Sequence, residues 1–233
     1  MLFRSLISYL LFITYGLYSF AMSTTRQTIA MSLIMISYKY VIERKPIKFS
    51  LLVLLASSFH VTALIFFPSY WLGKFKFNRK TILLFVSVAL LSVSLRSELR
   101  SLLSSYSRIE YTSIETGGMK LFLLILVSVL IGIIYRNPLL TKDRNNKYFF
   151  YMMVATAILM PITQFHPAVL RLNWYFFIFM IIYIPNLLYA INNKLIRFVG
   201  IGSFIILGFV LFFTQTLHET NLVEYLFIPA IQD

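Results

Sequence analysis

Four groups of side chains in this 233-residue chain are of types that hold charge or move protons. His60 stands in Ala56-Ser57-Ser58-Phe59-His60-Val61-Thr62-Ala63, the middle of a long apolar stretch. An imidazole titrates near neutral pH, so it can accept a hydroxyl proton and later return it. At membrane depth an ionisable group is costly unless partnered, and it usually marks a pathway or a site. The plainer reading is a neutral ring hydrogen-bonded to a neighbouring helix, with Ser57, Ser58 and Thr62 helping. Arg26 lies in Ser23-Thr24-Thr25-Arg26-Gln27, at the junction of two apolar stretches. Its guanidinium offers five donors in a planar fork that matches phosphate or carboxylate; the plainer reading is snorkelling to lipid headgroups.

The third group is the polar stretch Arg96–Gly118. It holds Arg96, Arg100 and Arg108, the acids Glu98, Glu110 and Glu115, the aromatics Tyr106 and Tyr111, and then Gly117-Gly118. Arginine neutralises phosphate, carboxylates hydrogen-bond hydroxyls or act as bases, and a tyrosine face stacks on a sugar ring. The glycine pair lets backbone approach a ligand closely or turn into the next helix. Together these side chains suit a sugar-phosphate ligand, although any one of them alone reads as a solvated charge on an interfacial helix. The fourth group is Gln164-Phe165-His166-Pro167 followed by Arg171 and Trp174, around a short turn. No Ser/His/Asp set, phosphate-cradling glycine loop or metal motif appears. With no cysteine and three histidines, no thiolate or zinc site is expected and no cofactor is called for.

The elements that must position these groups are apolar. Hydrophobic residues make up 59% of the chain and charged ones 12%, and the mean hydropathy is +0.82. Soluble domains carry about a quarter charged residues, so the solvent of this chain is partly lipid. Apolar runs fall at about 2–22, 27–42, 49–72, 81–95, 119–135, 148–165, 172–191 and 198–214. Unbroken runs of this length predict helices, because barrel strands alternate over about ten residues. The first run is read as a span, not a cleaved leader, since it lacks a small-residue cleavage site. The fold expected is all-α: one polytopic transmembrane bundle over 1–233, whose longest extramembrane loop is about 96–118.

Charge sets the orientation. The excess of 21 Lys and Arg over 8 Asp and Glu sits in short loops, which is what topology selection produces and not what nucleic-acid binding requires. If all eight runs cross, the basic loops 39–48 and 74–80 fall on opposite sides. If 49–72 dips in and returns, turning near Ser58–His60, both face the cytoplasm, together with Arg4 and the basic residues of 136–147 and 194–197. Arg26, Arg96, Arg100, Arg108, Lys120 and Arg171 then lie outside. The expectation is seven spans plus a re-entrant hairpin, with eight spans as the alternative. Against it, two limbs of about eleven residues reach only mid-membrane, and the turn must be shielded by protein.

Several strings resemble the EpsG family, membrane proteins of exopolysaccharide and capsule operons, many of them taken to be Wzy-type repeat-unit polymerases. They are Arg26-Gln27-Thr28-Ile29-Ala30, Ala56-Ser57-Ser58-Phe59-His60-Val61-Thr62-Ala63 followed by Pro68, Gly117-Gly118 before a span, and Arg171-Leu172-Asn173-Trp174-Tyr175 leading to Ile184-Pro185-Asn186. The resemblance covers nearly the whole chain and is most specific from Arg26 to Tyr70. It implies a multi-pass protein of the bacterial cytoplasmic membrane acting on undecaprenyl-pyrophosphate-linked oligosaccharide, alongside other polysaccharide-assembly membrane proteins. Arg26 and His60 carry over first, then Arg171 and Gly117-Gly118, with His166 as a further catalytic candidate. The family's additional N-terminal spans and its Arg-rich loop with Gly-Thr-Asp-Tyr have no counterpart here, so a shortened chain is expected. A lipid-linked-sugar transporter or flippase, and an inactive remnant or structural subunit, are the other readings.

Overall fold

The computed structural model describes residues 2–72, 74–75, 78–95, 98, 117–163 and 167–216. Arg96, Arg100, Tyr106, Arg108, Glu110 and His166 lie outside them. All regular structure among the described residues is helical. The helices are α1 (Leu2–Thr14), α2 (Leu17–Ser23), α3 (Thr25–Ile42), α4 (Pro46–Phe59), a 3₁₀ segment (Val61–Phe66), α5 (Ser69–Leu72), α6 (Arg79–Ser94), α7 (Gly117–Ile134), α8 (Arg136–Lys142), α9 (Asn146–Thr163), α10 (Pro167–Phe177), α11 (Met180–Ala190) and α12 (Lys194–Leu211), which runs into a π turn at Phe212–Thr216. One helix, Lys194–Thr214, is long and apolar enough to cross a bilayer by itself. Three bent pairs qualify when joined: α1 with α2 (55°), α7 with α8 (79°) and α10 with α11 (43°).

The stretch 49–72 folds back on itself. α3 and α4 form an antiparallel pair joined by a three-residue turn. There Lys45 N–H reaches Tyr40 O (2.9 Å) and Arg44 N–H reaches Val41 O (3.2 Å), with Arg44 left-handed at φ 56. This is the Schellman closure of a helix, and Pro46 then opens α4 at the position where its missing N–H costs nothing. α3 buries Gln27, Ala30, Met31, Ile34 and Ser37, one face at helical spacing. Its partner α4 buries Phe49, Val53 and Ala56. A straight helix from Phe49 to Tyr70 would separate those residues by about 30 Å. Instead the Phe49 and Tyr70 rings are 5.2 Å apart, and Phe49 also meets Phe66 at 6.2 Å. The chain reverses at His60, whose backbone is extended (φ −152, ψ 111).

The reversal gives the bundle two chemically different ends. At one, Arg4, Lys142 and Arg197 each lie over the ring of Tyr189, at 4.9, 5.3 and 5.4 Å. Arg44, Lys74, Arg144 and Lys147 line a single cavity at this end. The loops 39–48, 74–80 and 136–147 therefore meet. Glu43 pairs with Lys45 at 2.7 Å and with Lys39 at 3.8 Å; the Lys45 hydrogen bond first, and the nearby lysines after it, hold its carboxyl below the ordinary range.

Polar groups inside the bundle find cross-helix partners. Pro185 in α11 has no N–H for Ile181 O, and the Ser8 hydroxyl donates to that carbonyl at 2.7 Å. Asn186 donates to Asn146 Oδ1 (2.9 Å), Asn146 to Leu139 O (2.9 Å), and Arg4 to Asn186 Oδ1 (3.3 Å). Tyr183, fully buried, donates to Ser128 O at 3.0 Å by passing over Gly132, where a Cβ would collide with its hydroxyl. Small residues admit such close approach between membrane helices.

Gly132→Ala should therefore lower the unfolding midpoint of detergent-solubilised protein, with overpacking of about 1–3 kcal/mol. Adding Tyr183→Phe should recover part of the loss. Strictly additive losses in the double variant would contradict this contact.

Candidate functional site

At the end opposite the basic cluster, three elements meet: the first turn of α3, the hairpin tip and α10. The level of the tip follows from counting. α3 has 18 residues and α4 has 14, about 27 and 21 Å at ~1.5 Å per residue. Counted back through the turn at Arg44, His60 stands about level with Thr28, within one helical turn of Arg26. The limb is longer than the mid-membrane reach expected of it because the helix starts at Pro46, before the apolar run begins.

The tip breaks from helical geometry among residues that compete for the backbone. Ser57 and Ser58 donate to Leu54 O and Leu55 O, each at 2.7 Å; such back-bonding bends helices. Both hydroxyls are thus occupied within α4 and neither reaches His60, contrary to the help expected of them. Thr62 does reach it: Thr62 Oγ1 forms a short hydrogen bond with His60 Nδ1. Tyr175 comes within 3.3 Å of the same nitrogen, and Thr62 donates to the Tyr175 hydroxyl at 3.3 Å. The donor sense of Thr62 to Tyr175 fits the tautomer in which Nδ1 carries the proton and bonds Thr62. That assignment leaves the lone pair on Nε2.

α10 stacks the rest of the site above this relay. Arg171 and Tyr175 are four residues apart, so they share a helix face with Arg171 one turn nearer the end of the bundle. Tyr175 is fully buried and Arg171 is exposed. α10 is locked to α3 by Gln27, 2% exposed, whose Nε2 donates to Arg171 O at 2.6 Å. It is locked to α2 by the stack of Trp174 on Phe20, at 4.4 Å and 21°.

Arg26 is exposed in the first turn of α3, beside Gln27. Among the described residues neither Arg26 nor Arg171 has a carboxylate within ion-pair distance. Among the described residues, the buried atoms Gln27 Oε1, Asn173 Oδ1 and Trp174 Nε1 find no hydrogen-bond partner.

Of the candidates read from sequence, Arg26, His60 and Arg171 come together at one end. Gly117 and Gly118 form the first turn of α7. Arg96, Arg100, Arg108, Tyr106, Glu110 and His166 are among the residues not described. Sequence reasoning assigned no role to Gln27, Thr62's contact with Tyr175, or Tyr175 itself. The signal available was the four-residue interval Arg171 to Tyr175, which puts both on one face only if the segment is helical.

A comparison with known protein families matches the EpsG family over residues 2–229. No curated protein and no solved structure matches the chain. The match takes in α1 to α12, the hairpin tip and the Arg26, His60 and Arg171 positions. The chain belongs to the EpsG family of polysaccharide-related membrane proteins.

Proposed function

We propose that this chain works as a membrane polymerase, joining undecaprenyl-pyrophosphate-linked oligosaccharide repeat units in exopolysaccharide or capsule biosynthesis. It sits in the bacterial cytoplasmic membrane with its basic end inside. The observation that carries the reading is the return of the chain at His60, which lifts an imidazole to the level of Arg26 and beneath Arg171, away from the basic end. In this arrangement α1–α2, α3, α6, α7, α9, α10–α11 and α12 are the seven crossings, and α4 with the 3₁₀ segment is the re-entrant hairpin.

The proposed reaction is glycosyl transfer. An acceptor hydroxyl oxygen bonds to the anomeric carbon, the bond from that carbon to pyrophosphate oxygen breaks, and the electron pair leaves with the lipid pyrophosphate. His60 Nε2 takes the hydroxyl proton, while Thr62 and Tyr175 hold the ring so that this nitrogen faces the acceptor. Arg26 and Arg171 neutralise the charge developing on pyrophosphate, where fixed donors lower a barrier most. A loop carboxylate or His166 is the alternative base. The unpaired polar atoms of Gln27, Asn173 and Trp174 support a hydroxyl-rich ligand, since an unmet buried polar group costs about 1–3 kcal/mol until a partner arrives.

A transporter of lipid-linked sugar would use the same arginines, and the three bent helix pairs are a feature transporters share. The two readings part in detergent, where polymerisation persists and transport has no meaning. Solubilised protein, with any missing N-terminal part restored, should lengthen lipid-linked glycans; movement seen only in sealed vesicles would favour the transporter.

Within that assay Arg26→Lys should fold and insert normally yet lose activity about 100–1000-fold, because the charge stays and the fork is lost. Unchanged chain length would remove Arg26 from the site. Tyr175→Phe should lower activity less, about tenfold, by freeing the ring it helps to orient.

A further inference from the structure

The cavity at the basic end is about 630 Å³, within the range of ligand sites. Arg44, Lys74, Arg144 and Lys147 line it together with Tyr70 and Tyr148. Its walls come from the start of the hairpin, its finish and the loop before α9. Among the described residues no carboxylate is within ion-pair distance of these four cations: Glu43 pairs with Lys39 and Lys45, and Asp143 accepts the Asn145 N–H at 2.8 Å. Lys74 lies over Tyr70 at 5.6 Å.

Topology selection explains why basic residues are in cytoplasmic loops. It does not explain why four of them, from three loops, surround one concavity. Nor does it explain Arg44. That residue holds the left-handed helix-terminating position, where glycine carries no penalty and other L-residues pay about 1–2 kcal/mol. Such strain at a non-glycine points to a function for the position, and Arg44 lines this cavity.

We propose that the cavity is a binding site for a phosphate ester, presented at the membrane surface by the headgroup of an anionic phospholipid. Arg44 and Arg144 supply planar forks for phosphate oxygens, Lys74 and Lys147 supply point charges, and the two tyrosines suit the interfacial depth of a headgroup. The site rests on the membrane orientation proposed above and is independent of the glycosyl-transfer chemistry at the other end.

The test is the unfolding midpoint of the full chain in neutral detergent, with phosphatidylglycerol, phosphatidylcholine or soluble glycerol phosphate added. Phosphatidylglycerol should raise the wild-type midpoint by roughly 5 °C, and phosphatidylcholine by much less. Arg44→Gly suits the turn, so without lipid its midpoint should equal or exceed wild type, while the phosphatidylglycerol shift should largely vanish. The double variant Lys74→Gln with Lys147→Gln should lose the shift as well. An equal response to glycerol phosphate would support the phosphate site and overturn the lipid as its source. Equal shifts from both phospholipids, or a full shift in Arg44→Gly, would overturn the proposal.

Discussion

A chain that reverses inside an apolar bundle must satisfy the peptide groups at its turn without water. At His60 this is done locally: His60 N–H bonds Ala56 O at 3.1 Å and Ala63 N–H bonds His60 O at 3.0 Å. A 3₁₀ segment then rises about 2 Å per residue, so six residues return the chain about 12 Å. Phe66 on that return limb stacks on Phe179 at 5.7 Å and meets Phe176 at 5.6 Å. The hairpin is thereby clamped between α3 and the α10–α11 pair. Without this reversal the loops around Arg44 and Lys74 would be at opposite ends, and His60 would have no fixed height relative to Arg26.

The same constraint governs the polar residues of the other helices. Ser8 supplies the hydrogen that Pro185 withholds from Ile181 O, and the Asn146–Asn186 pair ties the start of α9 to α11 near the basic end. Gln27 crosses to Arg171 O with one end of its amide and leaves the other unmet. Among the described residues, the buried atoms Gln27 Oε1, Asn173 Oδ1 and Trp174 Nε1, which have no hydrogen-bond partner, belong to the elements that carry Arg26 and Arg171.

Much of this was legible in the sequence because lipid and charge impose strict rules. Apolar runs marked the helices, and the basic flanks of 49–72 pointed to a turn near Ser58–His60, where the chain reverses. Breaks within runs were harder to read. Residues 2–22 bend at Gly16, whose φ of 79 no periodicity announces, and 172–191 bend near Ile178–Phe179 with no glycine or proline there. The candidates Arg26, His60 and Arg171, picked by residue type, lie at one end of the bundle. Their partners were not legible, because Tyr175 on His60 and Gln27 on Arg171 depend on which helices touch, and one sequence does not state its tertiary contacts.

The hairpin can be tested on intact cells with a membrane-impermeant thiol reagent, since the chain has no cysteine of its own. Single cysteines at Glu43 and Asn78 mark the two flanks, and one at Val61, 69% exposed beside His60, marks the tip. The account predicts that positions 43 and 78 react only from the cytoplasmic side and position 61 from the outer side. Labelling of 43 and 78 from opposite sides would mean that the segment crosses the membrane, and the placement of His60 beneath Arg171 would fall with it.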